Sequence, residues 1–324
     1  MSRARTPLGR VVRRQRTRLN RLLRLPPEPT TRLGREPREP DPLPGFTLWG
    51  LTCTFMEADV IGATVANLFT QGCERVLFID NDSPDDTVAV ATAAGAELVG
   101  TFSSDEFSEF TRVERTNALM AELSREAAEP SVWWLHVDAD ELPHGSMGRT
   151  VRAQLSQLDR RYRIVGADFW NHFPTPGADP AYVPGHHPLD DQPLVEHEPF
   201  SYCWARHYKH PLVRIDAGVP PIRLLPGAHV PERWGGRRLL EPREGIVVHH
   251  LQFRGEAQTR ARMEVIADRL VRPEPIADRI RHADAIYRGD WAAAPLHRGR
   301  LGNRGVRPEP WPFPDDVRRW DTPP

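Results

Sequence analysis

Residues 131 to 145 read SVWWLHVDADELPHG, an apolar run that ends abruptly at Asp138, Asp140 and Glu141. Trp133, Leu135 and Val137 alternate with Trp134, His136 and Asp138, so the run predicts a strand that is apolar on both faces until it leaves the core. While the chain stays extended, Asp138 and Asp140 point to the same side and Glu141 to the other, where it reads as the cap of a turn. Two carboxylates that close repel unless one takes a proton or a cation sits between them. Mg²⁺ or Mn²⁺ takes one or two protein carboxylates and completes its octahedron with phosphate and water oxygens. Such an ion activates a phosphate leaving group by absorbing its developing charge. A plain acidic turn closing a strand is the alternative, and the strongly apolar strand in front of the acids favours the cation.

Outward from this stretch the chain alternates. TLWGLTCTF is a β-branched and aromatic run that ends at Glu57 and Asp59. Val60 to Gln71 has helical spacing and stops at Gly72, and ERVLFID is a second buried strand. A turn from Asp82, a short helix over Thr87 to Ala94, the strand AELVGTF and a helix over Arg112 to Ala127 lead into the opening stretch. Strands alternating with helices predict an α/β fold: a mostly parallel sheet with helices on both faces and ligands beyond the carboxyl ends of its strands. After it, MGRTVRAQLSQL reads as helix and YRIVGADFW as strand. Residues 173 to 199 form a long Pro/His/Asp loop, and residues 202 to 251 short strands that include CWARHYKHPLVRID and GIVVHHLQF. Glu256 to Leu270 and Ile276 to Tyr287 read as helices.

The domain reading is a basic, Pro-rich, disordered tail over 1–45, a catalytic α/β domain over 46–255, and a helical and Pro-rich extension over 256–324. Residues 1 to 40 hold twelve Arg against Glu28, Glu36 and Glu39, so the overall net charge of −1 conceals a basic arm on an acidic body. Disorder is the first reading of that arm, and weak contact with an anionic membrane surface the second. Without interleaved aromatics it does not read as a nucleic-acid binder. Lys209 is the one lysine in the chain, so arginine carries nearly all positive charge, as in a GC-rich genome. Cys53, Cys73 and Cys203 have no metal-like spacing and fit a reducing compartment; with no run of about 18 apolar residues, the expected location is the cytoplasm.

A second acidic group, FIDNDSPDDT over residues 78 to 87, ends an earlier strand. Asp80 and Asp82 suit a ribose, a base edge or a metal, and Ser83 and Thr87 suit capping of the next helix. Taken in order, CTFMEADVIGATVANLFTQGCERVLFIDNDSPDDT, RVERTNALM and WWLHVDADEL resemble the glycosyltransferases of the family two type, which have the Rossmann-like GT-A fold. The resemblance covers about Leu48 to Leu142 and extends weakly to His249, His250 and Arg254. It implies metal-dependent transfer, generally inverting, from a nucleoside diphosphate sugar to the hydroxyl of a glycan, lipid or small-molecule acceptor. It implies that Glu57 and Asp80 lie at the donor nucleotide with Asp82 nearby, that Asp138 lies near the ribose and sugar, and that Arg112, Arg115 and Asn117 border the donor pocket. It further implies Asp140 as principal ligand of Mn²⁺ or Mg²⁺, His249 or His250 as the histidine completing coordination, and Arg254 at the diphosphate.

Two departures stand out. Met56 occupies the place of the family's usual Asn, and the family's catalytic base has no clear match. Asp168, Asp190, Asp191 and Glu196 are the candidates for it; Asp190 and Asp191 are preferred because their loop is long enough to close over an acceptor. Two other functions compete. LFIDNDS resembles the nucleophile turn of haloacid-dehalogenase phosphatases at Asp80 and Asp82, but the later lysine and acidic pair that chemistry needs are poorly matched and DADE is left without a use. A catalytically degenerate GT-A domain, used for binding, would explain Met56 and the missing base.

Overall fold

The computed structural model describes residues 30–103, 109–172, 202–225, 231–232 and 235–268. In chain order the strands are β1 (Thr31–Leu33), β2 (Thr47–Thr54), β3 (Arg75–Asp80), β4 (Glu97–Thr101), β5 (Ser131–Asp138), β6 (Glu141–His144), β7 (Ile164–His172), β8 (Tyr202–Asp216), β9 (Leu239–Glu241) and β10 (Ile246–His250). The α-helices are α1 (Ile61–Thr70), α2 (Thr87–Ala93), α3 (Glu109–Leu123), α4 (Val151–Leu155) and α5 (Glu256–Asp268). Eight strands form one sheet in the order β4-β3-β2-β5-β8-β7-β10-β6. Neighbours β4, β3, β2 and β5 are parallel, as are β7 and β10, while β8 and β6 run against their partners. The fold is therefore α/β with a mostly parallel sheet, as the alternating pattern predicts.

Period-2 alternation in the strands divides the core in two. Trp133, Leu135 and Val137 face Ile61, Val65 and Leu68 of α1 and Val151 of α4. On the other face Trp134, Leu51 and Ile79 pack against Val113 and Met120 of α3. Trp133 and Trp134 are both fully buried, and truncating either to Ala would cost about 3–5 kcal/mol. The Trp134 indole N–H donates to Ser124 Oγ at 2.9 Å and its ring meets Trp49 edge-on, centroids 5.3 Å apart. Helix α1 ends where expected: Gly72 has φ 92°, and a Cβ there would lie 2.6 Å from Arg152 Cβ.

Three expectations are revised. Order begins before residue 45, because β1 pairs in parallel with β9, and Thr31 Oγ1 donates to Glu241 Oε1 at 2.9 Å. Its partner lies some two hundred residues away, which no local pattern reveals. The turn expected after DADE is the strand β6, which pairs His250 with Glu141 and Val247 with His144. The long helix expected from Met147 reduces to α4, preceded by a 3₁₀ turn at Ser146–Gly148. Helix Ile276 to Tyr287 and the loop over 173–199 lie outside the described residues. Among the described residues no helix is long and apolar enough to cross a membrane.

Candidate active site

Strands β2, β3, β5 and β10 deliver their carboxyl ends to one edge of the sheet, and the acids of the sequence motifs collect there. The loops after β2 and β3 are laced together by hydroxyls. Asp80 Oδ1 accepts from Thr54 Oγ1 and Ser83 Oγ, both at 2.7 Å, and its Oδ2 accepts from the Ser83 amide at 2.8 Å. Ser83 Oγ in turn accepts from the Met56 amide at 3.1 Å, and Thr87 Oγ1 accepts from the Glu57 amide at 2.8 Å. Ser83 and Thr87 thus tie two loops together instead of capping α2, whose N-cap residue Asp86 makes no side-chain cap bond. Met56 has φ 54°, the left-handed region that Asn tolerates better than Met. Asp82 also has φ 54° and is exposed at the tip of the turn.

The end of β5 is held by cations instead. Asp138 Oδ1 accepts from Arg112 Nη1 at 3.1 Å and Oδ2 from Lys209 Nζ at 3.0 Å. Lys209 also donates to both oxygens of Glu141, at 2.9 and 2.7 Å, and Glu141 Oε2 accepts from the Asp138 amide at 2.8 Å. Burial disfavours charge on Asp138, but Lys209 and Arg112 outweigh it and hold the carboxyl well below the usual aspartate range. Burial likewise opposes the Lys209 ammonium, and Asp138 and Glu141 overcome it, raising its pKa to about 12.

Asp140 sits deeper, 5% exposed, with its carbonyl accepting from the Leu251 amide at 2.9 Å. Its Oδ1 lies 3.6 Å from His250 Nε2; its Oδ2 lies 3.5 Å from Arg254 Nη1 and 3.9 Å from Arg262 Nη1. Burial works against its charge, while His250, Arg262 and Arg254 hold its pKa down. Arg254 is itself buried and fixed, donating to Glu57 Oε2 at 2.6 Å, to Asp59 Oδ2 at 2.6 Å and to the Leu251 carbonyl at 3.0 Å. Arg262, from α5, pairs with the other oxygen of Glu57. Burial pushes the Glu57 carboxyl up to about 7 although Arg262 and Arg254 pull it down. Helix α5, the first part of the expected C-terminal extension, is therefore tied into this edge.

The structure separates the expected residues into groups. Glu57, Asp138, Asp140, His250, Arg112 and Arg254 converge on the edge. His249 turns away: its ring stacks on His144 and its Nε2 lies 3.3 Å from that of His144. Asn117 clasps the backbone of Leu224, donating to its carbonyl at 3.0 Å and accepting from its amide at 2.8 Å. Arg115 lies over the Phe102 ring and donates to the Thr101 carbonyl at 3.3 Å. Both side chains thus hold backbone at this end of the sheet, Arg115 at Thr101 and Asn117 at Leu224. Asp190, Asp191 and Glu196 lie outside the described residues, and Asp168 is partly buried within β7. Asp59, Lys209 and Arg262 are the members that sequence reading missed.

Among the described residues no three His, Cys, Asp or Glu side chains form a ready metal cluster. The remaining pair is Asp140 Oδ1 and His250 Nε2. An octahedral ion with bonds near 2.1 Å sets adjacent donors about 3 Å apart, so a small closure of their 3.6 Å separation would give two ligands. Such an ion would take its other ligands from phosphate and water.

No family model and no curated protein sequence matches the chain. Several solved structures are similar over part of it. Glucosyl-3-phosphoglycerate synthase from Mycobacterium tuberculosis, crystallised with Mn²⁺, UDP and glucosyl-3-phosphoglycerate, is 13% identical with a TM-score of 0.26, covering 38% of this chain and 44% of that one. A mannosyltransferase from Pyrobaculum calidifontis, in complex with GDP-Man and Mn²⁺, is 17% identical with a TM-score of 0.30, covering 41% and 39%. Mannosyl-3-phosphoglycerate synthase from Rubrobacter xylanophilus is 20% identical with a TM-score of 0.27, covering 40% and 42%. The chain thus spans less than half the length of each of these structures.

Proposed function

We propose that this chain is a metal-dependent glycosyltransferase of the GT-A type, moving a sugar from a nucleoside diphosphate donor to an acceptor hydroxyl. The observation that carries the reading is Asp140, set between His250 and the Arg254–Arg262 pair at the carboxyl edge of a parallel sheet. Open α/β sheets take their ligands at that edge. A bound Mn²⁺ or Mg²⁺ would supply charge absorption at the leaving diphosphate. Asp140 and His250 would hold it. Arg254, desolvated and held by Glu57 and Asp59, and Arg262, partly exposed and held by Glu57, are already oriented, so they meet an anion beside Asp140 with little reorganisation. Asp138, fixed by Arg112 and Lys209, is oriented for the donor. For the base of an inverting transfer we keep Asp190 or Asp191.

Five carboxylates (Glu57, Asp59, Asp138, Asp140, Glu141) meet four fixed cations (Arg112, Lys209, Arg254, Arg262), so the cluster comes close to charge balance. A divalent ion alone or a diphosphate alone upsets that balance in opposite senses, whereas together they nearly preserve it. Metal and nucleotide are therefore expected to bind as a pair. Thermal shift with UDP, GDP or ADP, with and without Mn²⁺, tests this: stabilisation requires both partners and is lost in Asp140→Asn. If no nucleotide shifts the wild type under any metal condition, the reading fails. Paired binding without turnover on any acceptor would favour the degenerate binding domain. The phosphatase reading is opposed by Asp80, whose two oxygens are committed to Thr54 and Ser83, and by Lys209, which serves Glu141 and Asp138.

A further inference from the structure

The chain's one lysine is completely buried, and each of the three carboxylate oxygens within its reach is at hydrogen-bond distance: Asp138 Oδ2, Glu141 Oε1 and Glu141 Oε2. An ammonium has three donors, so Lys209 is saturated. Its counter-ion is also fixed, because Glu141 Oε2 accepts the Asp138 amide across the β5–β6 turn. In a chain whose other basic side chains are nearly all arginine, this enclosed position holds a compact ammonium with three rotatable donors.

Access alone would send a cation to the wrong acid. The Asp138 side chain is 32% exposed and that of Asp140 only 7%, so Asp138 is the more open carboxylate. Both of its oxygens, however, face fixed positive charge, Arg112 on one and Lys209 on the other. The Arg112 side chain keeps 13% exposure. Lys209 has none. A divalent ion at Asp138 Oδ2 would sit against an immobile, desolvated ammonium, whereas at Asp140 the guanidinium groups of Arg254 and Arg262 are on the Oδ2 side and Oδ1 offers an imidazole.

We propose that Lys209 selects the metal carboxylate: by occupying Asp138 it reserves that acid for the donor and leaves Asp140 to take the divalent ion. The inference rests on the metal-dependent reading above and assigns Lys209 as a positioning residue. The test is Mn²⁺ titration, followed by electron paramagnetic resonance or calorimetry, in saturating UDP or GDP. Asp138→Asn and Asp140→Asn are each placed in the wild type and in Lys209→Met/Glu141→Gln. The paired change removes one buried charge of each sign, since Lys209→Met alone would strand Glu141, and circular-dichroism melting establishes that each variant is folded.

In the wild-type background Asp140→Asn is expected to weaken Mn²⁺ binding at least about tenfold and Asp138→Asn less than about threefold; in the paired background the Asp138→Asn loss rises to about tenfold or more. Equal losses for the two acids in the wild type overturn the proposal, and that comparison needs no Lys209 variant. Losses unchanged by the paired background overturn it too, reducing Lys209 to a structural ion pair while the metal reading stands. If the wild type binds no Mn²⁺ with either nucleotide, the metal reading itself fails and takes this inference with it.

Discussion

Two strands of the same sheet end in aspartate at the same edge, and the two acids are satisfied by different chemistry. Asp80, at the end of β3, is closed by two hydroxyls and an amide. Asp138, at the end of β5, is closed by an ammonium and a guanidinium, with Asp140 and two more arginines just beyond it. Neutral donors satisfy a carboxylate locally and leave nothing to exchange. Paired charges are costly to bury and strongly coupled, so a bound cation or anion can redistribute them. The first end holds loops in place; the second is suited to chemistry.

The largest effect should come from breaking the charged end. Lys209→Met leaves Glu141 buried without its cation and takes one of two cations from Asp138, which costs about 3–5 kcal/mol in urea unfolding. Lys209→Met/Glu141→Gln is expected to recover most of that loss. If the single variant is as stable as the wild type, the ion cluster at β5 is no more consequential than a surface pair.

Next comes Asp140→Asn, which should preserve the fold and lower transfer activity by roughly a hundredfold or more, since metal charge stabilisation contributes several kcal/mol and each 1.4 kcal/mol is tenfold. The matched change at the neutral end, Asp80→Asn, inverts the pattern. An amide cannot accept from Thr54, the Ser83 amide and Ser83 Oγ all at once, so stability falls by about 1–3 kcal/mol. Activity at saturating donor should fall far less than in Asp140→Asn. Unfolding curves and initial rates on the same two proteins decide it, and a catalytic loss at Asp80 as deep as that at Asp140 would erase the distinction between the ends.

The contrast also shows where sequence reading stops. The apolar strands, their alternation with helices and the acids at their ends follow from patterns within ten or twenty residues, and the sheet order keeps β2, β3, β4 and β5 together as that alternation requires. What the acids bind is set by distant partners. Lys209 reaches Asp138 and Glu141 because β8 returns antiparallel beside β5, and Arg262 reaches Glu57 from a helix that begins after β10. Neither pairing has a local signature. The lone lysine in an arginine-rich chain was visible, but composition alone gave it only a codon explanation. Between the adjacent His249 and His250, strand alternation required that one face away, and β6 decides which: His144 on that strand stacks on His249, leaving His250 beside Asp140.

The smallest effect sharpens the comparison within the charged end itself. Arg112 and Lys209 bond the same carboxylate at 3.1 and 3.0 Å, but the Arg112 side chain keeps 13% exposure and Lys209 none. Arg112→Gln should therefore cost only about 0.5–1 kcal/mol, and the loss should shrink in 1 M salt, where the Debye length is about 3 Å. The two cations also set an acid limb. Because they hold the folded pKa of Asp138 below its unfolded value near 3.9, the unfolded chain takes up the proton first as pH falls. The contribution of Asp138 is thus complete above about pH 4 and is lost as pH drops through the lower, folded value. Removing Arg112 raises that folded value and moves the loss toward higher pH by a small step; removing Lys209 with Glu141 moves it further, because the buried ammonium is unscreened. Urea midpoints from pH 2 to 6 for the wild type, Arg112→Gln and Lys209→Met/Glu141→Gln should fan out below pH 4 in that order. Coincident acid limbs would mean that neither cation holds the carboxylate down.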